Sequence, residues 1–147
     1  VFLTNTMPIL ITKEIIAATK QPKAGWNLLE LRDFKPKVNK KSQGVIDYYW
    51  TFECIAGPGN TEENAGRSFT VIIYGNALTA NVTEANALLV GLSTAITKKT
   101  MEELEGQEIA FEKMEGARVW CEIKDEPFEG RILKKANCFT PDDVVPF

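Results

Sequence analysis

Residues 45–55 alternate in hydrophobicity with the two-residue period of a β-strand. Every even position is apolar, whereas the odd positions include Asp47, Thr51 and Glu53. The apolar positions are Ile46, Tyr48, Trp50, Phe52 and Cys54. Because successive side chains of a strand point to opposite faces of a sheet, this pattern predicts a strand with one buried face.

Four more stretches have the composition of strands, and one stretch between them has the period of a helix. The further strands are predicted at residues 26–38, 68–75, 117–124 and 131–139. A helix is predicted where apolar residues recur at helical spacing: Val82, Ala85, Leu88, Leu89, Leu92, Ala95 and Ile96. This order predicts a mainly β fold: an OB-fold, a five-stranded Greek-key barrel with a helix between strands 3 and 4. A generic five-stranded barrel or an α+β domain is the alternative.

The length of 147 residues suits one domain. We expect residues 1–139 to form it, with an extension at 1–24 that carries a short helix at 13–19. Residues 140–147 form an acidic C-terminal tip. Met7 is a second candidate for the natural start, so whether residues 1–6 are native is left open.

Local signals place turns and helix ends. Residues 40–44 and 125–130 predict turns, and residues 57–66 predict a loop. Two capping boxes are predicted, one from Asn81 and Glu84 and one from Thr100 and Glu103, the second helix ending at Gly106.

The chain has no histidine, which removes the commonest general base and the commonest metal ligand. We therefore expect no enzyme activity, no metal and no cofactor. A nuclease would need clustered carboxylates, and the densest cluster, Glu102, Glu103 and Glu105, has the pattern of a solvated helix face.

Three cysteines, Cys54, Cys121 and Cys138, lie far apart in apolar stretches. This spacing argues against a disulfide framework and a zinc site, and it predicts buried thiols in a reducing cytoplasm. A reactive or regulatory thiol is the alternative. The chain contains no run of 18 or more apolar residues, so we expect no transmembrane helix. The first residues lack the basic region of a signal peptide.

The formal net charge is −3, but the charge is unevenly distributed. Up to Lys41, eight basic residues stand against three acidic ones, whereas residues 101–115 hold six glutamates and one lysine. Such segregation allows a local basic groove on an acidic protein.

Basic and aromatic residues interleave on the first two predicted strands and their turn. Non-specific binding of single strands needs cations for phosphates and aromatic faces for stacking bases. Tyr49 and Trp120 are expected on the polar faces of their strands, whereas Trp50 and Phe69 are expected in the core. The candidate nucleic-acid-binding residues are Arg32, Phe34, Lys35, Lys37, Lys40, Lys41, Tyr49, Arg67, Tyr74, Arg118, Trp120, Lys134 and Lys135.

The tip carries a second candidate site, for partner proteins: Asp142, Asp143, Pro146 and Phe147. These residues resemble, position by position, the acidic tip of bacterial single-stranded-DNA-binding proteins. The resemblance implies a tip that recruits replication and repair proteins and can compete with DNA for the groove. This chain differs in Val144, where the family usually has an acid, and in lacking the long linker before the tip.

The rest of the chain resembles phage-encoded single-stranded-DNA-binding proteins of OB type, in residues 29–37, 57–60 and 100–104. This resemblance implies sequence-nonspecific binding of single-stranded DNA in phage replication, recombination and repair, in the cytoplasm of a bacterial host. RNA as ligand and a homo-oligomer are left open. The rival interpretation is a protein-binding barrel, such as a virion component or an inhibitor of a host factor, which the net acidic charge favours.

Overall fold

The structure, a computed structural model, describes residues 7–57 and 62–147. Residues 1–6 and the centre of the predicted loop at 57–66 lie outside the described residues. Among the described residues, no helix is long and apolar enough to cross a membrane.

Five antiparallel strands form one sheet in the order β3-β2-β1-β4-β5. Strands one to three follow each other as neighbours and the fourth returns to lie beside the first, which is a Greek key. The strands are β1 Gly25–Asn39, β2 Val45–Cys54, β3 Ser68–Ile73, β4 Arg118–Phe128 and β5 Arg131–Pro141. The sheet is open between β3 and β5. The predicted mainly β fold with a helix between strands 3 and 4 is confirmed, and its strand order is compatible with an OB-fold, a partly open barrel.

Four helices accompany the sheet, one before β1 and three between β3 and β4. They are α1 Lys13–Ala18, α2 Gly75–Thr79, α3 Thr83–Thr97 and α4 Met101–Leu104. Helix α3 places Leu92 and Ala95 in the core against the inner face of the sheet. Single turns of 3-10 helix add Lys40–Ser42, Glu62–Asn64 and Phe111–Lys113.

Strand β1 changes phase in its middle. Leu31 pairs with Phe52 and Asp33 with Thr51, so Arg32 is an extra residue, a β-bulge. Before the bulge the odd residues Leu29 and Leu31 point into the core, whereas after it the even residues lie on that side of the sheet and Phe34 packs against the core. The bulge explains why β1 does not alternate cleanly in sequence.

The inner face of the sheet ends in an aromatic cluster. Phe34 lies 5.1 Å from Trp50 and 5.3 Å from Phe111, between ring centres. Tyr48 stacks parallel to Phe34 at 6.2 Å. Trp50 is 1% exposed and Phe69 is 4% exposed, as expected for core residues.

The two predicted capping boxes had different outcomes. The box of Thr100 and Glu103 is present, and Gly106 follows α4 with a positive φ of 77°. The box at Asn81 is wrong: α3 begins at Thr83 with Val82 as its N-cap, and Asn81 has a left-handed φ of 54°. The short helix α2 uses Asn81 in the connection to α3, where an asparagine tolerates this conformation.

The hairpin of β4 and β5 is longer than its predicted strands. The turn was expected at 125–130, but the strands pair out to Phe128 and Arg131. Glu129 and Gly130 alone make the turn, with φ values of 48° and 78°. Two consecutive positive φ angles are typical of the tight turns that join two strands by two residues.

Cys54 and Cys121 are buried, as predicted, but Cys138 is exposed. Cys138 pairs with Glu122 on the outward face of β5, while its neighbour Phe139 pairs with Cys121 on the inward face. The apolar stretch around Cys138 therefore did not determine which of its residues point into the core.

Candidate nucleic-acid interface

The outward face of β1, β2 and β3 presents an aromatic ring between lysines and an exposed apolar residue. Lys35 pairs with Tyr49 across β1 and β2, and Tyr49 pairs with Ile72 across β2 and β3. Lys37 Nζ lies 4.5 Å from the centre of the Tyr49 ring, a cation–π contact. We call Lys35, Lys37, Tyr49 and Ile72 the platform. The half-buried Tyr49 ring keeps part of its surface accessible.

A buried carboxylate fixes one end of the platform. Asp47, which is 5% exposed, accepts hydrogen bonds from the Gly75 amide at 2.9 Å and from Asn39 Nδ2 at 3.0 Å. These bonds join the end of β1, the start of β2 and the start of α2. A buried acceptor that is satisfied in this way holds its neighbours in one arrangement.

A cleft opens between the unpaired edges of β3 and β5. It has a volume of about 470 Å³. Its lining includes Ile72, Tyr74, Leu133, Lys134 and Lys135. Tyr74 is 54% exposed. The structure thus brings together three predicted site residues, Tyr74, Lys134 and Lys135, beside the platform residue Ile72.

Many of the predicted cations are paired with acids. Arg32 hydrogen-bonds Glu53, and this bond raises the pKa of the guanidinium above its ordinary value. The other pairs are Arg118 with Glu30 at 3.6 Å, Lys35 with Asp33 at 3.6 Å, Lys134 with Asp125, and Lys135 with Glu84 and Glu126 at 3.6 Å. Within the described ranges, no ion pair joins an acid to Lys37, Lys40 or Lys41. Among the lysines predicted for the site, those without an acidic partner therefore lie at the platform and at the β1–β2 turn.

The Arg67 side chain is held by hydrogen bonds within the protein. Its guanidinium donates to the Gln21 carbonyl and to Asn64 Oδ1, both at 3.3 Å. Asn64 in turn donates to Asn27, and both amide side chains are buried. This network attaches the segment before β1 to the turn before β3.

Two aromatic residues are not where an exposed stacking site needs them. Phe34 points into the aromatic cluster at the end of the core, because the bulge at Arg32 shifts the phase of β1. Trp120, expected on the polar face of β4, is 1% exposed. Its position on the outward face was predicted correctly, but its exposure was not, since the C-terminal tip covers it.

The tip folds back onto the outward face of β4. Trp120 Nε1 donates to the Asp142 carbonyl at 3.3 Å, and the Phe147 ring packs edge-on against Trp120 at 5.3 Å. Lys98 Nζ lies 2.7 Å from Asp142 and 3.8 Å from Asp143, and the bond to Asp142 raises the pKa of Lys98. Pro146 is half-buried, and Phe147 remains 59% exposed. Asp142 and Phe147 thus lie at Trp120, and Asp143 lies near Lys98.

Sequence reasoning missed several apolar residues of this surface. Thr70 and Ile72 alternate with buried residues on β3, so that pattern could have placed Ile72 on the outward face. Leu133 borders the cleft, and Phe128 and Ile132 are 49% and 60% exposed near the hairpin tip. The sequence predicts a turn around Phe128, and this prediction hides the strand alternation there.

A scan of known protein families found none that matches the chain. A search of curated proteins found no match either.

Proposed function

We propose that this protein binds single-stranded DNA without reading its sequence, on the platform and in the adjoining cleft. The observation that carries the proposal is the line of Lys35, Tyr49 and Ile72 across three strands, with Lys37 over the ring. In OB-folds the face of strands 2 and 3 and the loops beside it bind oligonucleotides. The tip's likeness to the bacterial family adds to this support.

Stacking supplies the affinity in this mechanism. Tyr49 on the platform and Tyr74 at the cleft each offer a ring face, and one base stacked on an aromatic contributes about 1–3 kcal/mol. Ile72 and Leu133 widen the apolar surface between them. Duplex DNA is a poor ligand, because its bases are already stacked on each other and do not reach the tyrosines.

The lysines contribute a modest electrostatic part. Lys37, Lys40 and Lys41 have no acidic partner in the described part of the chain, and Lys35 has a distant one at 3.6 Å. Contact with three or four phosphates gives a slope of log K against log salt of about −2 to −3 for single strands. The acidic tip, held at Trp120, is proposed to bind replication or recombination proteins through Phe147 and its aspartates.

The test is fluorescence anisotropy of labelled oligo-dT with variants of the two tyrosines. Tyr49→Ala and Tyr74→Ala should each weaken binding by roughly 5- to 150-fold, the range expected for one lost stacking contact. Tyr49→Phe and Tyr74→Phe are the matched controls, since phenylalanine keeps the ring face, and they should bind almost as tightly as the native protein.

Two results would contradict the proposal. The first is native affinity in the Tyr49→Ala, Tyr74→Ala double variant. The second is a chain that binds neither oligo-dT nor duplex at low salt, which would favour the protein-binding barrel. A native protein whose binding does not weaken with salt would remove the role of Lys37, Lys40 and Lys41 as phosphate contacts.

A further inference from the structure

The described part of the chain begins with an apolar segment whose side chains are largely exposed. Residues 7–11, which we call the arm, precede α1 and join no strand of the described sheet. Met7 is 89% exposed, Ile9 83%, Leu10 77% and Ile11 62%. Single exposed apolar residues are ordinary on protein surfaces, but a contiguous run of this kind marks an interaction segment.

A separate apolar groove lies between α3 and α4. It has a volume of about 480 Å³. Its apolar lining is Leu89, Val90, Met101, Leu104 and Ile109. Val90 is 39% and Met101 61% exposed, so the groove is open to a ligand. Since the capping box of Thr100 and Glu103 fixes the first turn of α4, one wall of the groove is already in place.

The rim of the groove is acidic, and the first charged residue after the arm is a lysine, with Glu14 next to it. Glu102 and Glu105 border the groove. The arm is followed at once by Lys13, after the N-cap residue Thr12. An arm that inserts Ile9 and Ile11 among the apolar side chains would bring Lys13 toward these glutamates. The β-branched and leucine side chains of the arm also suit an extended segment in a groove.

We propose that the arm of one copy of this protein docks in the α3–α4 groove of a second copy. Within one copy the arm does not occupy the groove, because its apolar side chains remain between 62% and 89% exposed. Reciprocal exchange of two arms gives a closed dimer, and one-way exchange gives a chain of copies. The inference does not depend on nucleic-acid binding, since neither the arm nor the groove includes a platform residue.

The test is the molar mass of the full-length protein by light scattering after gel filtration, over a wide range of concentrations. The native protein should associate as its concentration rises. An arm variant, Ile9→Asp with Ile11→Asp, and a groove variant, Val90→Glu, should each weaken association at least tenfold. Val38→Asp is the matched control, because Val38 is 62% exposed and lies outside both the arm and the groove.

Mixing the two variants shows whether arm and groove meet between copies. The arm variant retains an intact groove and the groove variant an intact arm, so an equimolar mixture should associate where each alone does not. Charge reversal gives a second check: Lys13→Glu should weaken association, and adding Glu102→Lys and Glu105→Lys should restore it. Circular dichroism and the melting temperature of each variant confirm that it is folded.

Three outcomes would overturn the proposal. They are a native protein that stays monomeric at every concentration, a groove variant that associates like the native protein, and variant mixtures that remain monomeric. A loss of oligo-dT binding by Tyr49→Ala and Tyr74→Ala bears only on the proposed function, so the two conclusions can fail separately.

Discussion

At the scale of single residues, the cysteines show how burial sets chemistry. Cys54 lies at the end of β2, and burial raises the pKa of its thiol from 9.0 to about 12. Burial also raises the pKa of Cys121, which is fully enclosed by β4 and its neighbours. Both thiols are therefore neutral over the whole physiological pH range, which suits structural rather than reactive groups.

This burial gives stability a pH dependence above pH 9. Between 9.0 and about 12 the unfolded chain releases the Cys54 proton while the folded chain keeps it, so stability falls as pH rises. The loss should reach about 1 kcal/mol by pH 10 from this residue alone. The measurement is urea unfolding at pH 8 and pH 10.

Cys54→Ala should make this loss smaller but not remove it, because Cys121 keeps its raised pKa, and the variant should be less stable at both pH values because it leaves a small cavity. Lys98 also makes stability fall as pH rises. The pKa of Lys98 is raised in the folded chain, so the stability that it contributes is present below pH 10.5 and lost above it. A native protein whose unfolding midpoint rises from pH 8 to pH 10 would contradict the predicted sign.

At the scale of elements, two glycines differ in the space that the structure leaves for a side chain. A Cβ on Gly75 would lie 2.1 Å from the Ile46 carbonyl oxygen and 2.5 Å from Val45 Cγ1. A Cβ on Gly91, within α3, would meet nothing within 4 Å. Gly75 is thus needed where α2 begins against β2, and Gly91 is not needed for space.

Gly75→Ala should lower the free energy of unfolding by roughly 1–3 kcal/mol, because backbone or core must move to accept the methyl group. Gly91→Ala should raise it by about 0.5–1 kcal/mol through better helix propensity. Chemical unfolding of both variants measures the difference. The prediction fails if the two substitutions change stability in the same direction.

The elements that could be predicted from the sequence are those whose pattern is local. The alternation of β2 and the helical period of α3 reflect one buried face each, so both were found. The phase of β1 was not, because the sequence shows only that its alternation is broken, whereas the position of the bulge at Arg32 depends on pairing with β2. Asn81 failed as a cap for a similar reason: the preceding helix α2, and not a strand, leads into α3.

At the scale of the whole molecule, the tip and the platform occupy different regions of the outward surface. Trp120 faces Leu28 on β1, whereas Tyr49 faces Lys35, seven positions further along that strand. Seven residues of strand span roughly 23 Å. The docked tip therefore lies over β4 and leaves the platform uncovered, unlike a tip that competes with DNA for its groove.

Removal of residues 144–147 should accordingly leave oligo-dT affinity within about twofold of the native value. The same truncation should expose Trp120, because Phe147 no longer packs on its ring. Acrylamide quenching of tryptophan emission measures this exposure. Val144→Ala is the control, since Val144 is 53% exposed in the same tip. A large gain in oligo-dT affinity on truncation would instead place the tip over the binding surface.

The candidate site was only partly predictable, because several of its features depend on contacts between segments that are distant in sequence. The sequence identified Tyr49, Tyr74 and the lysines of β1 and its turn by residue type. It did not show that Arg32, Arg118 and Lys134 are neutralised by acids from neighbouring strands, since those pairs depend on strand register. The cover over Trp120 likewise depends on where the last residues of the chain return.

The central position of β1 has a consequence for how the chain folds. β1 is the strand that joins the β2–β3 half of the sheet to the β4–β5 hairpin. Glu30 pairs with Arg118 and Gly25 with Ile123, so these partners are 88 and 98 positions apart in sequence. Closing so long a loop is slow, whereas each half can form from near neighbours. Since the cleft between β3 and β5 requires both halves, the route to the folded state completes the proposed binding surface in its last and slowest step.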